Sequence, residues 1–449
     1  MPAKRSTTSK EISRRKTSAK MPISSSSSSR KRKNKTPLDT QSKRQKARLS
    51  LASDEAGIVL VLGQGELGQL GLGEEILERS RPTAVKKLLE VEFIQVACGG
   101  VHTVALTKAG EIYTWGCNDE CALGRDTSDT SEAEYLPGLV DGLDNVKIIQ
   151  VSAGDNHTAA LADDGRVFCW GNFWDNRGSI GLNLAGKQPR PIVMLGDPND
   201  PVIKIGSGNN HVAALTANGL IFTWGCGEQG QLGRVAERFC SRDTRQGLKR
   251  FLQPAVARVT QRSKKDIRFS DIFVGPYNLF AVNAAGEVFA CGLNNYGQIG
   301  NGNITSLYYL AKIDSLSALN DGNDERQILI ASGEHHTLIL ARNGRVYSIG
   351  RGDYGRLGLG PDVKECSHPT EIETLANSDI KAVTCGLAVS FAVSNSGDVY
   401  SWGMGTNLQL GSSTDDDILT PTLVKTKESY NFFAASAGGQ HTAILGKKK

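Results

Sequence analysis

This chain has no long hydrophobic run. Its longest clean apolar stretch, Ile58–Leu62, falls far short of the roughly 20 residues that a membrane-spanning helix needs. Residues 1–50 have almost no aliphatic or aromatic side chains, so they cannot bury enough surface to fold alone. They are basic, yet no apolar core follows them, which excludes a secretory signal. No Walker A sequence is present. Cys117 and Cys121 have no second ligand pair that would complete a metal site. The nine cysteines are odd in number, and several recur in register as small packed hydrophobes. Reduced intracellular thiols fit better than disulfides, and no metal or cofactor is expected.

Glycine is abundant, at 50 of 449 residues. Seven strand-like runs end in Gly63, Gly116, Gly171, Gly225, Gly292, Gly350 and Gly403, spaced 53, 55, 54, 67, 58 and 53 residues apart. A second marker repeats with them: Gly99, Gly154, Gly208, Gly275, Gly333, Gly386 and Gly438. A period near fifty residues with turn residues at fixed offsets signals a radial array of small sheets.

The copy Val151–Gly171, VSAGDNHTAALADDGRVFCWG, shows the unit. A strand, a Gly turn, a second strand (His157–Leu161), an Asp-Gly hairpin and a third strand (Arg166–Trp170) follow one another. A turn with a Leu-Gly pair and an apolar fourth strand complete it. Four antiparallel strands in seven units predict an all-β, seven-bladed β-propeller over residues 56–446. A disordered basic arm, 1–55, precedes it, and a basic tail end, 447–449, follows. The last copy stops after its second strand, and the chain enters the propeller on a third strand. One blade is therefore expected to be built from both ends, pairing edges that would otherwise be exposed.

Charge is segregated. Residues 1–50 hold 16 Lys/Arg against two acids, or +14, and the remainder holds 36 against 45, or −9. Two basic clusters, Arg30, Lys31, Arg32, Lys33 and Lys43, Arg44, Lys46, have the spacing of a bipartite nuclear-import signal. The same charges would neutralise nucleic-acid phosphates. A second basic segment, Arg234–Arg268, carries 11 Lys/Arg and three acids within the long 67-residue step. A basic loop on an acidic disk predicts two different partners.

Three stretches fit G-x-G-x-x-G but lead into another turn rather than a helix, so they mark the repeat and not a nucleotide site. His102, His157, His211, His336 and His441 all stand three residues after a marker glycine. One per blade, they are placed for a recurring structural hydrogen bond rather than a shared metal. His335 is an extra histidine, displayed from a turn. The two positions after each marker vary freely. Asp155, Asn210, Glu334 and His335 fall there, forming either a polar binding cluster or ordinary turn residues. The segment Asn172–Leu182 replaces the usual turn with a bulkier one. Phe173 and Trp174 on it read as exposed contact anchors, or as a hairpin folded onto its own blade.

The stretches GQGELGQLGLGE, GCNDECALGRDTS, VSAGDNHTAALADDGRVF, GCGEQGQLGR, YGRLGLG and WGMGTNLQLG together resemble the regulators of chromosome condensation, the guanine-nucleotide exchange factors for the small GTPase Ran. The resemblance covers residues 57–446 and extends in kind to the basic arm. It implies a chromatin-bound nuclear exchange factor without covalent chemistry, on chromosomes in mitosis, monomeric and independent of membranes. Phe173, Trp174, Asp175, Asn176, Arg177 and Gly178 would form the family's wedge, which pushes on the phosphate-binding loop of Ran. Glu66, Asp155, Asn210, His335 and Arg234 would contact the GTPase; Asn210 stands where the family typically has an acidic residue. Arg242, Arg245 and Arg250 would meet the acidic patch of the nucleosome. The arm would contact DNA and an import receptor, and Pro2-Ala3-Lys4-Arg5 is similar to the family's N-terminally methylated start. The alternative is a non-catalytic nuclear scaffold that binds histones or DNA.

Overall fold

The computed structural model describes residues 55–240, 247–260, 267–321 and 326–449. The arm therefore lies outside the described residues. Among those described, seven four-stranded antiparallel sheets succeed one another around a ring, the predicted propeller. We number the blades 1 to 7 from the strand Phe93–Cys98 onward. Blade 2 shows the unit: Ile148–Ala153, His157–Ala162, Val167–Gly171 and Gln188–Leu195, from the innermost strand to the outermost.

Second strands such as His157–Ala162 are buried at every residue, because both faces pack against neighbouring blades. After the leading His-Thr pair the run Ala159–Ala162 is accordingly apolar at every position rather than alternating. Outermost strands read differently. Pro82, Pro189, Pro191, Pro369 and Pro421 all lie in them. A proline has no N–H for an added strand, so these edges resist further pairing.

Blade 7 is closed by both termini, as the repeat count requires. Its order is Glu78–Ala84, Ile58–Gln64, His441–Lys448, Tyr430–Ala437, with Leu60 opposite Ile444. The last strand runs on through Lys447 and Lys448, opposite Asn431 and Tyr430. Those lysines belong to the blade rather than to a tail.

The two glycine markers serve different ends. Gly171 ends its strand at φ +95°, a left-handed conformation that L side chains avoid. Gly154 is needed for space: an added Cβ would stand 2.6 Å from the carbonyl oxygen of Gly208 and overlap the His157 ring. The marker histidine is therefore packed flat on its own marker glycine.

Those histidines join one blade to the next at three seams. His441 Nε2 lies 2.8 Å from Thr103 Oγ1 (blades 7 and 1), His102 Nε2 3.0 Å from Thr158 Oγ1 (1 and 2), and His336 Nε2 2.9 Å from Ser390 Oγ (5 and 6). Each hydroxyl donates to a turn carbonyl of the preceding blade: Gln69, Ala122 or Arg356, at 2.8, 2.8 and 2.9 Å. The hydroxyl proton is thus spent, so the imidazole must donate from Nε2. A buried tryptophan, Trp115, Trp170 or Trp402, donates its indole N–H to the same carbonyl. The expected recurring bond is made at these three seams. His157 and His211 have no such partner, because the facing residues are Val212 and Leu279.

Candidate partner-binding face

The variable turns converge on one mouth of the central channel. Gly100, Asp155, Asn209, Pro276, Leu387 and Gly439 line it. Backbone bonds lace these turns together around the ring. Asp155 N–H donates to Asn209 O at 2.8 Å, Asn209 to Pro276 at 3.1 Å, Glu334 to Leu387 at 3.2 Å, and Gly439 to Gly100 at 3.2 Å. Pro276 lacks an N–H, so blade 4 cannot pass the lacing on to blade 5. These bonds join the turns of blades 7, 1, 2, 3 and 4 into one run and those of blades 5 and 6 into another.

Asp155 and Asn210 meet at this mouth. The Asn210 amide donates to Asp155 Oδ2 at 3.2 Å. Burial pushes the Asp155 carboxyl up to about 6, and the nearby Glu334 charge adds to the rise. Glu334 stands beside His335, with Oε1 3.8 Å from Nε2. Burial lowers the His335 pKa, against the opposing pull of Glu334. Its ring is half-buried and meets the Tyr296 ring edge-on at 5.0 Å. The Arg351 guanidinium lies 4.9 Å over the Tyr296 ring and is held by Asp353. Tyr296 and Arg351 were invisible to sequence reasoning, because they occupy repeat turns that otherwise serve as scaffold. Their signal was the replacement of turn residues such as Gln229 and Cys226 at equivalent places in blade 3.

The bulky segment on blade 2 is a two-stranded projection, Trp174–Asp175 against Gly178–Ser179. An Asx turn, Arg177 N–H to Asp175 Oδ1 at 2.8 Å, and Gly178 at φ +109° close its tip. Phe173 corrects one expectation. It is fully buried, edge-on to His157 at 4.6 Å, and packs with Ile180 and Leu182 between blades 2 and 3. An aromatic beside a turn goes inward when a neighbouring blade offers an apolar seam. Phe173 is thus the root of the projection, and Trp174, 38% exposed, is its displayed aromatic. The Trp174 N–H donates to Asn210 Oδ1 at 2.8 Å, and the Asn176 N–H to Glu228 Oε2 at 3.1 Å. Asn210 therefore ties the projection to Asp155.

The other expected residues lie elsewhere. Glu66 is exposed on blade 7, and its carbonyl accepts the Tyr135 hydroxyl at 3.0 Å. Arg234 is turned inward instead of joining the mouth. It donates to Thr223 Oγ1 and to the carbonyls of Phe251 and Gln253, and burial lowers its pKa to about 10. It is a peg for the basic loop, whose helix α1 (Gly247–Leu252) buries Phe251 and Leu252. Arg250 is exposed and stacks on Phe239 at 5.0 Å, with Arg238 on the same ring at 4.7 Å. Arg242, Arg245 and the arm's two basic clusters fall outside the described residues. Among the described residues, no group of three or more His, Cys, Asp or Glu gathers as a metal site.

Comparison with known proteins sets this geometry in a family. The model of the RCC1-like domain matches residues 58–444. This chain belongs to that family. The human Regulator of chromosome condensation is 44% identical over 92% of this chain and 96% of its own. The Xenopus laevis protein of the same name is 47% identical over 88% and 90%. Among solved structures, Prp20p from Saccharomyces cerevisiae superposes with a TM-score of 0.79 at 28% identity, covering 90% of this chain and 95% of that one. That structure was described together with its binding to Gsp1p and histones.

Proposed function

We propose that the chain is a chromatin-bound guanine-nucleotide exchange factor for Ran, acting by stabilising the nucleotide-free GTPase. The observation that carries this reading is the projection on blade 2, clamped through Asn210 to an acidic mouth. Two relations support it. A Saccharomyces cerevisiae relative, 29% identical over 86% of both chains, is named a guanine nucleotide exchange factor. The solved relatives were studied with Gsp1p, with histones and with Kap60.

Exchange needs no covalent step. A surface that binds the empty GTPase more tightly than the loaded one lowers nucleotide affinity by the same factor. Each tenfold of release costs about 1.4 kcal/mol of differential binding. A wedge seated where the phosphate-binding loop must sit supplies such a difference. Asp155 and Glu334 complement a basic GTPase surface and speed encounter, while His335, braced by Tyr296, offers a directed polar contact. The direction of exchange follows from cellular nucleotide concentrations.

The chromatin half of the reading rests on charge. Arg250, with Arg242 and Arg245, would engage the acidic patch of the nucleosome. The +14 arm would contact DNA and an import receptor, placing the protein in the nucleus and on mitotic chromosomes as a monomer. Among the described residues, no helix is long and apolar enough to cross a membrane.

The test is release of labelled GDP from purified Ran. The protein should accelerate it, and His335→Ala should slow it without loss of folding. Release as slow with the protein as without it refutes the exchange reading and leaves a scaffold that binds histones or DNA.

A further inference from the structure

The seam between blades 2 and 3 has a tryptophan and a marker histidine but lacks the clasp that joins these groups at three other seams. At three other seams an indole N–H and a hydroxyl share one turn carbonyl, and a histidine caps the hydroxyl. At this seam the hydroxyl position is Val212, and Trp224 Nε1 and both nitrogens of His157 are buried without a hydrogen-bond partner. The cause is the projection itself. The carbonyl should come from the residue before the Ile180-Gly181 pair. That residue is Ser179, which is taken into the hairpin opposite Trp174. The glycines confirm the displacement. A Cβ on Gly71, Gly124 or Gly358 would touch the next blade's tryptophan at 2.7 to 2.8 Å, whereas one on Gly181 would meet Asn183 instead.

The projection is rooted by apolar contacts of Phe173, Ile180 and Leu182 and by the Asn172 amide, which donates to Ser179 Oγ at 2.8 Å; these hold the base but do not reach the tip. Direction comes from two side-chain acceptors of blade 3. Asn210 Oδ1 takes the Trp174 N–H, and Glu228 Oε2 takes the Asn176 N–H at the tip. A carboxylate accepting a backbone N–H makes a charge-assisted bond, the stronger kind.

We propose that Glu228 is a positioning residue of the wedge, fixing the direction of its tip across a seam that lacks the clasp present at three others. The proposal rests on the exchange reading for its functional consequence, but not for its structural one. Trp115, Trp170, Trp224 and Trp402 are fully buried, so the partly exposed Trp174 alone of the five tryptophans is open to a collisional quencher.

The experiment compares wild type, Glu228→Ala and Glu228→Gln in two readouts. The first is kcat and KM for nucleotide release from Ran; the second is acrylamide quenching and anisotropy of Trp174. Glu228→Ala should lower kcat about tenfold with KM and unfolding midpoint nearly unchanged, while Trp174 becomes more quenchable and less anisotropic. Glu228→Gln retains an acceptor oxygen and should recover most of both. Wild-type kcat and unchanged Trp174 signals in Glu228→Ala overturn the proposal. If wild type gives no exchange but Trp174 still loosens in Glu228→Ala, the exchange reading fails and the positioning role stands. If Glu228→Ala does not fold, Glu228→Asp decides, since its shorter side chain withdraws the acceptor from the Asn176 N–H: a lowered kcat with a loosened Trp174 supports the role, and wild-type values in both readouts overturn it.

Discussion

Removing the Thr103 hydroxyl tests the clasp that closes the ring between blades 7 and 1. Thr103 Oγ1 donates to Gln69 O at 2.8 Å and accepts from His441 Nε2 at 2.8 Å. Thr103→Val keeps nearly the same shape and deletes both bonds. Gln69 O keeps the Trp115 indole N–H at 3.0 Å, so the carbonyl is not orphaned. His441 is: its ring is fully buried, and its Nε2–H then faces a methyl group. One lost neutral bond costs about 1 kcal/mol, and a stranded buried donor about 1–3 kcal/mol more. The expected destabilisation is therefore about 2–4 kcal/mol.

A double-mutant cycle separates the two parts. Blade 6 naturally carries Val389 in the histidine slot, so His441→Val is a substitution that this fold position accepts. In that background Thr103→Val strands no donor and should cost only about 1 kcal/mol. The coupling energy is then about 1–3 kcal/mol, read by equilibrium denaturation followed through tryptophan fluorescence. Additivity within about 0.3 kcal/mol would show that the imidazole and the hydroxyl do not interact, and the reasoning about the seams would fall with it.

Two further outcomes follow from the same geometry. Phe173→Ala should cost about 3–5 kcal/mol of stability because it empties a buried root, whereas Trp174→Ala should leave stability within about 0.5 kcal/mol and slow nucleotide release from Ran; equal unfolding midpoints for the two variants would contradict the assignment of root and tip. Acid should unfold the protein, because burial drives His102 to about 4, His211, His336 and His441 to about 3, and His157 well below 6.5. These groups take up protons only on unfolding, so stability falls as pH drops below about 6.5, by about 2 kcal/mol each between pH 7 and 5. Asp155, raised to about 6, works in the opposite sense: it takes its proton in the folded state, so its contribution grows by about 1 kcal/mol over the same window. Denaturation midpoints that are flat between pH 7 and 5 would refute the buried, neutral histidines.

The repeat made the fold legible. Glycines at fixed offsets named seven blades, and the strand count at the two ends predicted the shared blade. The marker histidines were placed correctly as structural, since their recurrence around a ring separates them. What stayed hidden depends on neighbours that are far apart in sequence. Phe173 looks like an exposed anchor until blade 3 supplies the seam that buries it. Arg234 looks like a surface cation until the end of α1 and the residue after it turn the Phe251 and Gln253 carbonyls towards it. Arg351 reaches His335 through the hairpin of blade 5, where its N–H donates to His335 O at 2.9 Å, but Tyr296 comes from blade 4, and only the ring brings it there. One signal was readable but local. His is followed by Thr at 102, 157, 336 and 441, and by Val at 211. That single break falls on the blade after the projection, where the acceptor carbonyl has been displaced and a buried hydroxyl would have been left unpaired.

Asn210 shows why an amide suits this site. The position must accept the Trp174 N–H, which either a carboxylate or an amide can do. It also faces Asp155 at 3.2 Å, and there the two differ. A carboxylate would set a second negative charge against one that burial and Glu334 already disfavour. The two groups would then have to share a proton or move apart, loosening the projection at its base. The amide accepts on one side and donates on the other, so a single residue joins projection to mouth without adding charge. The acidity of this face is left to Asp155, which lines the mouth, and to Glu334 near it. The clamp and the negative charge of this face are thus carried by different residues.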